Sequence, residues 1–382
     1  MKTKYQLGSL ILSALFMLSS CQKEENMNTS SNAEPLSVNF TLGGSAGIVG
    51  NSGASRNTPI HSDEEKAVKT LWAIAFEDAD RTASAMQENP VADTDKFYRA
   101  IEIALPAETQ GTGSLSFSFL LDKAGFFQIC FIANPDEALT NFFNGLTPGS
   151  STVADLKNHI TTAKACDDKE NGLLMTSAFY PVESSWTTAA EIGQVNLTRA
   201  MARIDVKNEI EGMNIYQIDF LNRASNTKLY QGNTVGLEAG ITLETKTYSD
   251  LTVNGKGSEC KEQIYTYEQK ATTTTDSDKI PALKIYYTTD ADPDTQRYHT
   301  IQLVYSNEGR EPVAVGLKRN YLYTVTLTRK ASNITANLEV LDWNKGAEVG
   351  VQPDEIGGGT TLDKGNGIAK NPGNGGTIDV FE

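Results

Sequence analysis

The chain has 382 residues and a formal net charge of −15 at pH 7. A surface this acidic repels nucleic acid and anionic lipid headgroups, so neither is expected as a partner. The chain is too long for one small β-sandwich, and its length favours two domains.

The first twenty residues have the layout of a secretory signal peptide. A basic start is followed by the apolar stretch 7–18 and by two serines directly before Cys21. The apolar stretch is too short to span a bilayer, which needs about 20 residues. We therefore expect residues 1–20 to be removed on export. The alternative is a plain signal peptide, or a membrane span, in which Cys21 has no role.

The residues around Cys21 resemble the recognition motif of bacterial lipoproteins. Leu18-Ser19-Ser20-Cys21 is similar to the lipobox, whose cysteine receives acyl chains and becomes the mature N-terminus. Residues 22–25 (QKEE) resemble the signal that sends lipoproteins of the Bacteroidetes to the outer face of the outer membrane. A solvated charge cluster is the alternative. Two or more acyl chains on Cys21 would give stable anchoring. Because the residues after Cys21 are polar and show no apolar period, residues 21–35 are predicted to be a lipidated tether.

The first predicted strand covers residues 36–42. Leu36, Val38, Phe40 and Leu42 alternate with polar residues, which is the period-two pattern of a half-buried strand. A stretch rich in Gly and Ser follows, and it cannot form a core element. We therefore expect residues 43–65 to be an exposed loop.

Short strands dominate the rest of the chain, which indicates antiparallel β-sandwiches. One predicted domain covers residues 36–192, and a second covers 193–345. One helix is predicted over 152–163, where Thr152 and Asp155 can form a capping box. The predicted strands are 36–42, 69–76, 97–105, 114–121, 126–133, 173–179, 195–206, 215–221, 283–288, 300–305, 312–316, 321–328 and 334–343.

A Gly-rich tail is predicted over residues 346–382. Its last six residues, Thr377–Glu382, are prone to form a strand. A segment too rich in Gly to fold alone, yet ending in a strand-like hexamer, is expected to need a partner.

The sequence predicts no catalytic, metal or cofactor site. The histidines His61, His159 and His299 are scattered, and no HExxH or GxSxG pattern occurs. Residues 290–294 copy the first positions of a calcium loop, but the glycine is missing and Ile301 replaces the bidentate glutamate. We therefore expect no enzyme, no metal and no cofactor.

The cysteines after Cys21 do not have metal-ligand spacing. Cys130 lies in an apolar run and is predicted to be a buried free thiol. Cys166 and Cys260 lie in polar, loop-like surroundings. A bridge between them is possible in an exported protein, and whether they pair is left open.

Three segments together resemble a known family. They are LTRAMARIDV at 197–206, KRNYLYTV at 318–325 and LEVLDWN at 338–344. With the lipobox and the strand order, they are similar to the fimbrillins, the type V pilins of the Bacteroidetes. The resemblance covers most of the chain. It implies a two-domain lipoprotein precursor built from transthyretin-like antiparallel β-sandwiches.

The resemblance also implies how the chain is processed. In that family an arginine-specific protease cuts the loop after the first strand, that strand leaves, and a neighbouring subunit's strand fills the groove. Arg56 is the one Lys or Arg between Lys23 and Lys66, and Asn57 follows it. Cleavage is therefore expected between Arg56 and Asn57, with strand 36–42 displaced. An ordinary surface arginine is the alternative.

The expected donor strand is Thr377–Glu382, with Ile378, Val380 and Phe381 as its apolar side chains. Tip subunits of the family are expected to stop near the tryptophan strand, and anchors to keep their first strand. The long tail and the single cuttable loop therefore favour a stalk subunit, with anchor and tip left open.

The partners implied are other copies of this chain or related pilins, a trypsin-like processing protease, and the outer membrane through the precursor's lipid. A host or bacterial surface ligand is a further possibility, since a pilus commonly serves adhesion. The alternative function is a monomeric surface lipoprotein that binds glycan or host protein. Trp72, Trp186 and Trp343 could stack on sugars, but aromatic residues in strands are more often core.

Overall fold

The computed structural model describes residues 36–42, 62–78, 91–105, 115–161, 164–185, 189–230, 239–269, 279–305, 313–330, 333–343, 377–378 and 380–381. These residues all belong to one compact unit. They form an all-β fold in which the described helices are three short ones, so the predicted fold class is confirmed.

The first half of the described chain contains ten strands and all three helices. The strands are β1 (Leu36–Leu42), β2 (Leu71–Glu77), β3 (Lys96–Glu102), β4 (Leu115–Leu121), β5 (Gly125–Ala133), β6 (Ile160–Thr161), β7 (Met175–Ser177), β8 (Tyr180–Ser184), β9 (Ala190–Val195) and β10 (Leu197–Arg199). The helices are α1 (Asp63–Lys66), α2 (Glu137–Gly145) and α3 (Val153–Asn158).

Two of the sheets in this half share one hydrophobic core. One sheet has the strand order β4-β1-β9, and the other has the order β10-β7-β5-β2-β3 with β8 paired to β5. Both faces of β2 and β5 are buried, which explains their almost continuous apolar sequences. The ring of Phe40 on β1 meets that of Phe131 on β5, so the two sheets face each other across this core.

The second half contains the remaining strands. They are β11 (Met201–Asn208), β12 (Met213–Ala224), β13 (Thr227–Lys228), β14 (Leu243–Tyr248), β15 (Val253–Asn254), β16 (Ser258–Tyr267), β17 (Ala282–Thr289), β18 (Asp292–Gln302), β19 (Val304–Tyr305), β20 (Val313–Ala314), β21 (Tyr321–Lys330), β22 (Asn333–Asp342), β23 (Thr377–Ile378) and β24 (Val380–Phe381).

A second pair of sheets shares a second core. One has the order β16-β11-β21-β22-β23, and the other has the order β14-β12-β17-β18-β24 with β15 paired to β12. Val206 and Val325 of the first sheet and Ile218 and Leu283 of the second are buried in this core. The boundaries of the two predicted domains, and their transthyretin-like topology, stay predictions.

The predicted helix is shorter in the structure than its sequence pattern. Thr152 caps α3, and its hydroxyl accepts from the backbone N–H of Asp155 at 3.3 Å while the Asp155 carboxylate accepts from the backbone N–H of Thr152 at 2.8 Å. The helix ends at Asn158, because residues 160–161 leave it to form β6 beside β13. The capping box is confirmed, and the extension to 163 is wrong.

The predicted long strand over 195–206 is not one strand, because Val195 ends β9 and the rest is divided between β10 and β11. The backbone N–H of Ala200 donates to the carbonyl of Leu174, so the run breaks there. β10 pairs with β7 in the first half, whereas β11 pairs with β16 and β21 in the second. The chain therefore passes from one core to the other at this break.

Cys166 lies in a turn, as expected, whereas Cys260 lies in β16, so the loop-like surroundings predicted for Cys260 are wrong. Cys166 and Cys260 are buried, and Cys130, Cys166 and Cys260 are all free thiols. The Cys166 thiol donates to the carbonyl of Tyr265 at 3.3 Å. Burial raises the pKa of each of these three thiols to about 12, so they stay protonated and unreactive at neutral pH.

Candidate functional site

The strand β1 lies between two neighbours. It pairs antiparallel with β4 over its whole length, from Leu36↔Leu121 to Leu42↔Leu115. On its other side it pairs parallel with β9. Removing β1 would therefore leave two facing rows of unpaired backbone groups, one on each neighbour.

Three side chains of β1 point into the first core. Val38 is 0% exposed, Phe40 is 2% exposed and Leu42 is 3% exposed. The Phe40 ring lies among Phe117 and Phe119 of β4 and Phe131 of β5, with centroid separations of 5.4, 6.2 and 4.5 Å. The predicted alternation of β1 is confirmed for these three positions.

Burying three such side chains stabilises the fold by about 5–9 kcal/mol. This is comparable with the whole stability of an ordinary domain, about 5–15 kcal/mol. A groove left empty by β1 would expose this apolar surface together with two sheet edges. Such a groove favours the capture of another strand.

The outer face of β1 is polar and half-buried. The Asn39 amide donates to Glu191 Oε1 at 2.8 Å, and the Thr41 hydroxyl donates to the carbonyl of Gly193 at 3.3 Å. Both acceptors are on β9. The register of β1 is therefore also fixed from outside the core.

A bulge in β9 adapts that strand to Phe40. Asn39 lies opposite Glu191 and Phe40 opposite Gly193, so Ile192 is the extra residue. Gly193 has φ +78°, a conformation that residues with a side chain rarely adopt.

The cleavage residues predicted from the sequence lie outside the described residues. These are Arg56 and Asn57, together with the lipidation residue Cys21. The structure describes the chain on both sides of the predicted loop, at Leu42 and again from Ser62.

The short helix α1 begins at Asp63, inside the predicted loop 43–65, so the prediction of an exposed loop is wrong for residues 63–65. The Ser62 hydroxyl accepts from the backbone N–H of Glu65 at 3.3 Å, and Glu65 Oε2 accepts from the backbone N–H of Ser62 at 2.9 Å. The Glu65 side chain is fully buried. Its carboxylate pairs with Arg203 of β11 at 3.0 Å and accepts from the Tyr265 hydroxyl at 2.6 Å.

Arg199 and Trp343 complete this buried cluster, which we call the Glu65 clamp: Glu65, Arg199, Arg203, Tyr265 and Trp343. Arg199 Nε donates to the backbone carbonyl of Glu65 at 2.9 Å, and its guanidinium lies 4.5 Å from the centroid of the Trp343 ring. The rings of Tyr265 and Trp343 stack at 6.0 Å. The clamp ties the segment after the loop to the strands of the second half.

The three motif segments named in the sequence analysis meet at this clamp. Asn320 accepts from Arg199 Nη1 at 3.1 Å, and its backbone N–H donates to the carbonyl of Met201 at 2.7 Å. The backbone N–H of Trp343 donates to the carbonyl of Asn320 at 3.1 Å. The motifs thus have a structural reason to occur together, because they build one joint.

Charge compensation within the clamp is extensive. Arg203 also pairs with Asp205, at 2.6 Å from Nη2 and 2.8 Å from Nε. Burial opposes the charge on Arg203, but its hydrogen bonds to Asp205 and the charge of Glu65 outweigh burial, so the pKa of Arg203 is raised. Burial, reinforced by Glu65, also raises the pKa of Tyr265, which stays a neutral donor.

The predicted donor segment lies on the chain's own sheets. The backbone of β23 pairs with β22 at Ala336 and Asn337, and the backbone of β24 pairs with β18 at Thr300 and Ile301. β22 and β18 belong to the two sheets of the second core, and β23 and β24 are the last strands of those sheets.

The other residues considered from the sequence do not gather into a site. His159 stacks on Phe142, and His299 stacks on Tyr287, while His61 and Trp186 lie outside the described residues. Residues 290–291 join β17 to β18, and residues 292–294 belong to β18. Within the described ranges, no group of three or more His, Cys, Asp and Glu side chains is arranged to hold a metal ion.

The two tryptophans that the structure describes belong to the core, as expected. Trp72 is 8% exposed and Trp343 is fully buried. Neither can serve as an exposed platform for a sugar.

Among the described residues, no helix is both long enough and apolar enough to cross a membrane.

Comparison with solved structures gives the fold a precedent. The chain is similar to the tip fimbrial protein Mfa3 from Porphyromonas gingivalis with C-terminal truncation, with a TM-score of 0.51 and 12% identity over 81% of this chain and 100% of that chain. It is also similar to a proposed cell adhesion protein from Parabacteroides distasonis, with a TM-score of 0.52 and 13% identity over 82% of this chain and 98% of that chain.

No family model matches the sequence, and no curated protein matches it. At 12–13% identity, the likeness to the two solved structures establishes the fold alone. The fimbrillin-like fold expected from the sequence motifs is confirmed at that level.

Proposed function

We propose that this chain is the precursor of a pilus subunit, exported as a lipoprotein through Cys21 and joined to its neighbours by strand exchange. The observation that carries the proposal is β1 itself. It is a buried strand between two others, yet the sequence that follows it directly, which is predicted to be an exposed loop, contains Arg56. The fold it shares with a fimbrial protein supports the same conclusion.

Cutting the loop after Arg56 would separate two segments that are held very differently. β1 is held by its sheet pairings and by three apolar side chains. The chain after the loop is held by the Glu65 clamp. Cleavage would therefore free β1 and the lipidated tether while the new N-terminal segment, from Asn57, stays attached.

The groove left by β1 would receive a strand from a neighbour, and the tail of this chain would be donated in turn. Ile378, Val380 and Phe381 are the apolar residues of that donor. Among the residues that the structure describes, β23 and β24 each make two register pairs with the chain's own sheets, so releasing those pairs costs few hydrogen bonds. Each such bond contributes about 0.5–1.5 kcal/mol net.

The product would be a fibre on the cell surface serving adhesion, whose partners are other subunits, a processing protease and, before cleavage, the outer membrane. The fold gives no reason to assign an enzymatic reaction to the described residues. A chain that loses β1 and donates its tail corresponds to a stalk subunit, and an anchor or tip subunit is the alternative.

A second candidate function is ligand binding by a surface lipoprotein, and one feature favours it. Tyr216, Tyr286 and Tyr298 form a ladder on neighbouring strands, and Tyr298 is 58% exposed. Lys284 already covers Tyr298, with its Nζ 4.2 Å from the ring centroid. A side chain of the same protein thus already occupies part of the tyrosine surface, which makes this function the weaker candidate.

A disulfide that locks β1 to β4 tests the proposed function. Asn39 and Ser118 are antiparallel register partners, and the Cα atoms of such pairs lie about 4.5–5.5 Å apart, within the range that a disulfide spans. In bacteria that assemble the fibre, the Asn39→Cys/Ser118→Cys chain is expected to be cut but not incorporated. The readout is the ladder of this chain on an unboiled detergent gel of surface material.

The matched control is the Ser118→Cys chain, which is expected to enter the ladder normally. Reductant should restore incorporation of the locked chain. The native thiols Cys130, Cys166 and Cys260 are buried and are not expected to form disulfides with the introduced cysteines. A ladder from the oxidised, locked chain equal to that of the control would show that β1 need not leave.

A further inference from the structure

The side chains around β1 determine which strand the groove can hold. From the core side, the groove receives an aliphatic side chain at Val38, an aromatic one at Phe40 and an aliphatic one at Leu42. The aromatic place is lined by the rings of Phe117, Phe119 and Phe131. A smaller side chain at that place would leave a cavity among three rings that are too rigid to fill it.

The rim of the groove carries a charged side chain that contacts the outer face of the bound strand. Glu191 of β9 lies opposite Asn39 in the register and accepts from its amide at 2.8 Å. Once β1 leaves, this carboxylate faces whichever residue takes the place of Asn39. A neutral donor or a cation suits it, whereas a second carboxylate is repelled.

The chain's own tail does not match this pattern in the register that places Ile378 at Val38. Val380 then occupies the aromatic place, and Asp379 faces Glu191. Glu382 takes the place of Leu42, which is 3% exposed, so a carboxylate would be buried among apolar side chains.

Two other registers keep a mismatch. With Phe381 at the aromatic place, Asp379 occupies the site of Val38, which is fully buried, so a carboxylate would lie in the apolar core. With Ile378 at the aromatic place, Gly376 takes the site of Val38 and no aromatic ring fills the pocket.

We propose that the β1 groove selects a donor strand of the pattern aliphatic–x–aromatic–x–aliphatic with an uncharged or basic residue facing Glu191, supplied by a subunit other than a second copy of this chain. The proposal rests on the proposed function. It places this chain where two kinds of subunit meet, giving its tail to one and receiving a strand from another.

Peptide exchange into the cut protein tests the selectivity. The full chain after the signal peptide, with Cys21→Ser and a site for a sequence-specific protease introduced in the loop, is cut and offered fluorescent peptides. One peptide copies residues 36–42, one copies residues 377–382, and a third copies 377–382 with Asp379→Asn, Val380→Phe and Glu382→Leu. Affinity is measured by fluorescence anisotropy.

The first and third peptides are expected to bind at least about tenfold more tightly than the natural tail peptide. Glu191→Gln is expected to improve binding of the natural tail a few-fold and to weaken binding of the peptide 36–42 by no more than a few-fold, because a neutral amide oxygen accepts more weakly from Asn39 than a carboxylate does. Binding of the natural tail peptide as tight as that of the peptide 36–42 would overturn the selectivity while leaving strand exchange intact. Uptake of no peptide, including 36–42, would overturn strand exchange itself and this proposal with it.

Discussion

Arg203→Ala is expected to lower the free energy of unfolding by about 3–5 kcal/mol, because it removes the guanidinium that pairs with two buried carboxylates. Glu65 is fully buried and Asp205 is 4% exposed, and both pair with this guanidinium. Neither carboxylate can turn to solvent. The measurement is a urea titration of the uncut chain followed by circular dichroism.

The control for this change is Lys261→Ala. Lys261 pairs with Glu259 at 2.5 Å, but its side chain is 60% exposed, so the loss is expected to stay below about 1 kcal/mol. The double variant Arg203→Ala/Glu65→Gln should lose less than the sum of the two single losses, since both changes break the same pair. If Arg203→Ala and Lys261→Ala lowered the free energy of unfolding by equal, small amounts, the Glu65 clamp would not hold α1.

Phe40→Ala is expected to destabilise the uncut chain by about 3–5 kcal/mol. The lost ring is 2% exposed and contacts three other rings, which cannot collapse into the space without moving β4 and β5. The urea midpoint should fall with little change in the slope of the transition.

Thr41→Ala in the same strand is the matched control. Its hydroxyl makes one exposed hydrogen bond to Gly193, so the cost is expected to be about 0.5–1.5 kcal/mol or less. If Phe40→Ala cost no more than Thr41→Ala, β1 would not be an integral part of the core, and the groove argument would fail.

Much of the fold around β1 could be predicted from the sequence. Strand β1 follows from strict alternation, and the start of α3 follows from its capping box. The strands that flank β1 differ. β4 also alternates, but β9 is a largely polar segment with a bulge at Ile192, and it is its pairing with β1 that places it in the sheet.

The Glu65 clamp could be predicted only in part. Ser62 and Glu65 have capping-box spacing, which is a local signal. The burial of Glu65 depends on Arg203 and Tyr265, which are 138 and 200 residues away in the chain. No periodic pattern reports such a contact. The same holds for Cys166 and Cys260, whose polar neighbours in sequence concealed that both are buried.

The central claim is that β1 is removed and its place taken by a strand of another molecule. It is tested most directly by determining the N-terminal residue of this chain in fibres purified from the cell surface. A start at Asn57 is the predicted result, since it shows that assembled copies have lost both the lipid and β1. An N-terminus at lipidated Cys21 in every assembled copy would contradict the account.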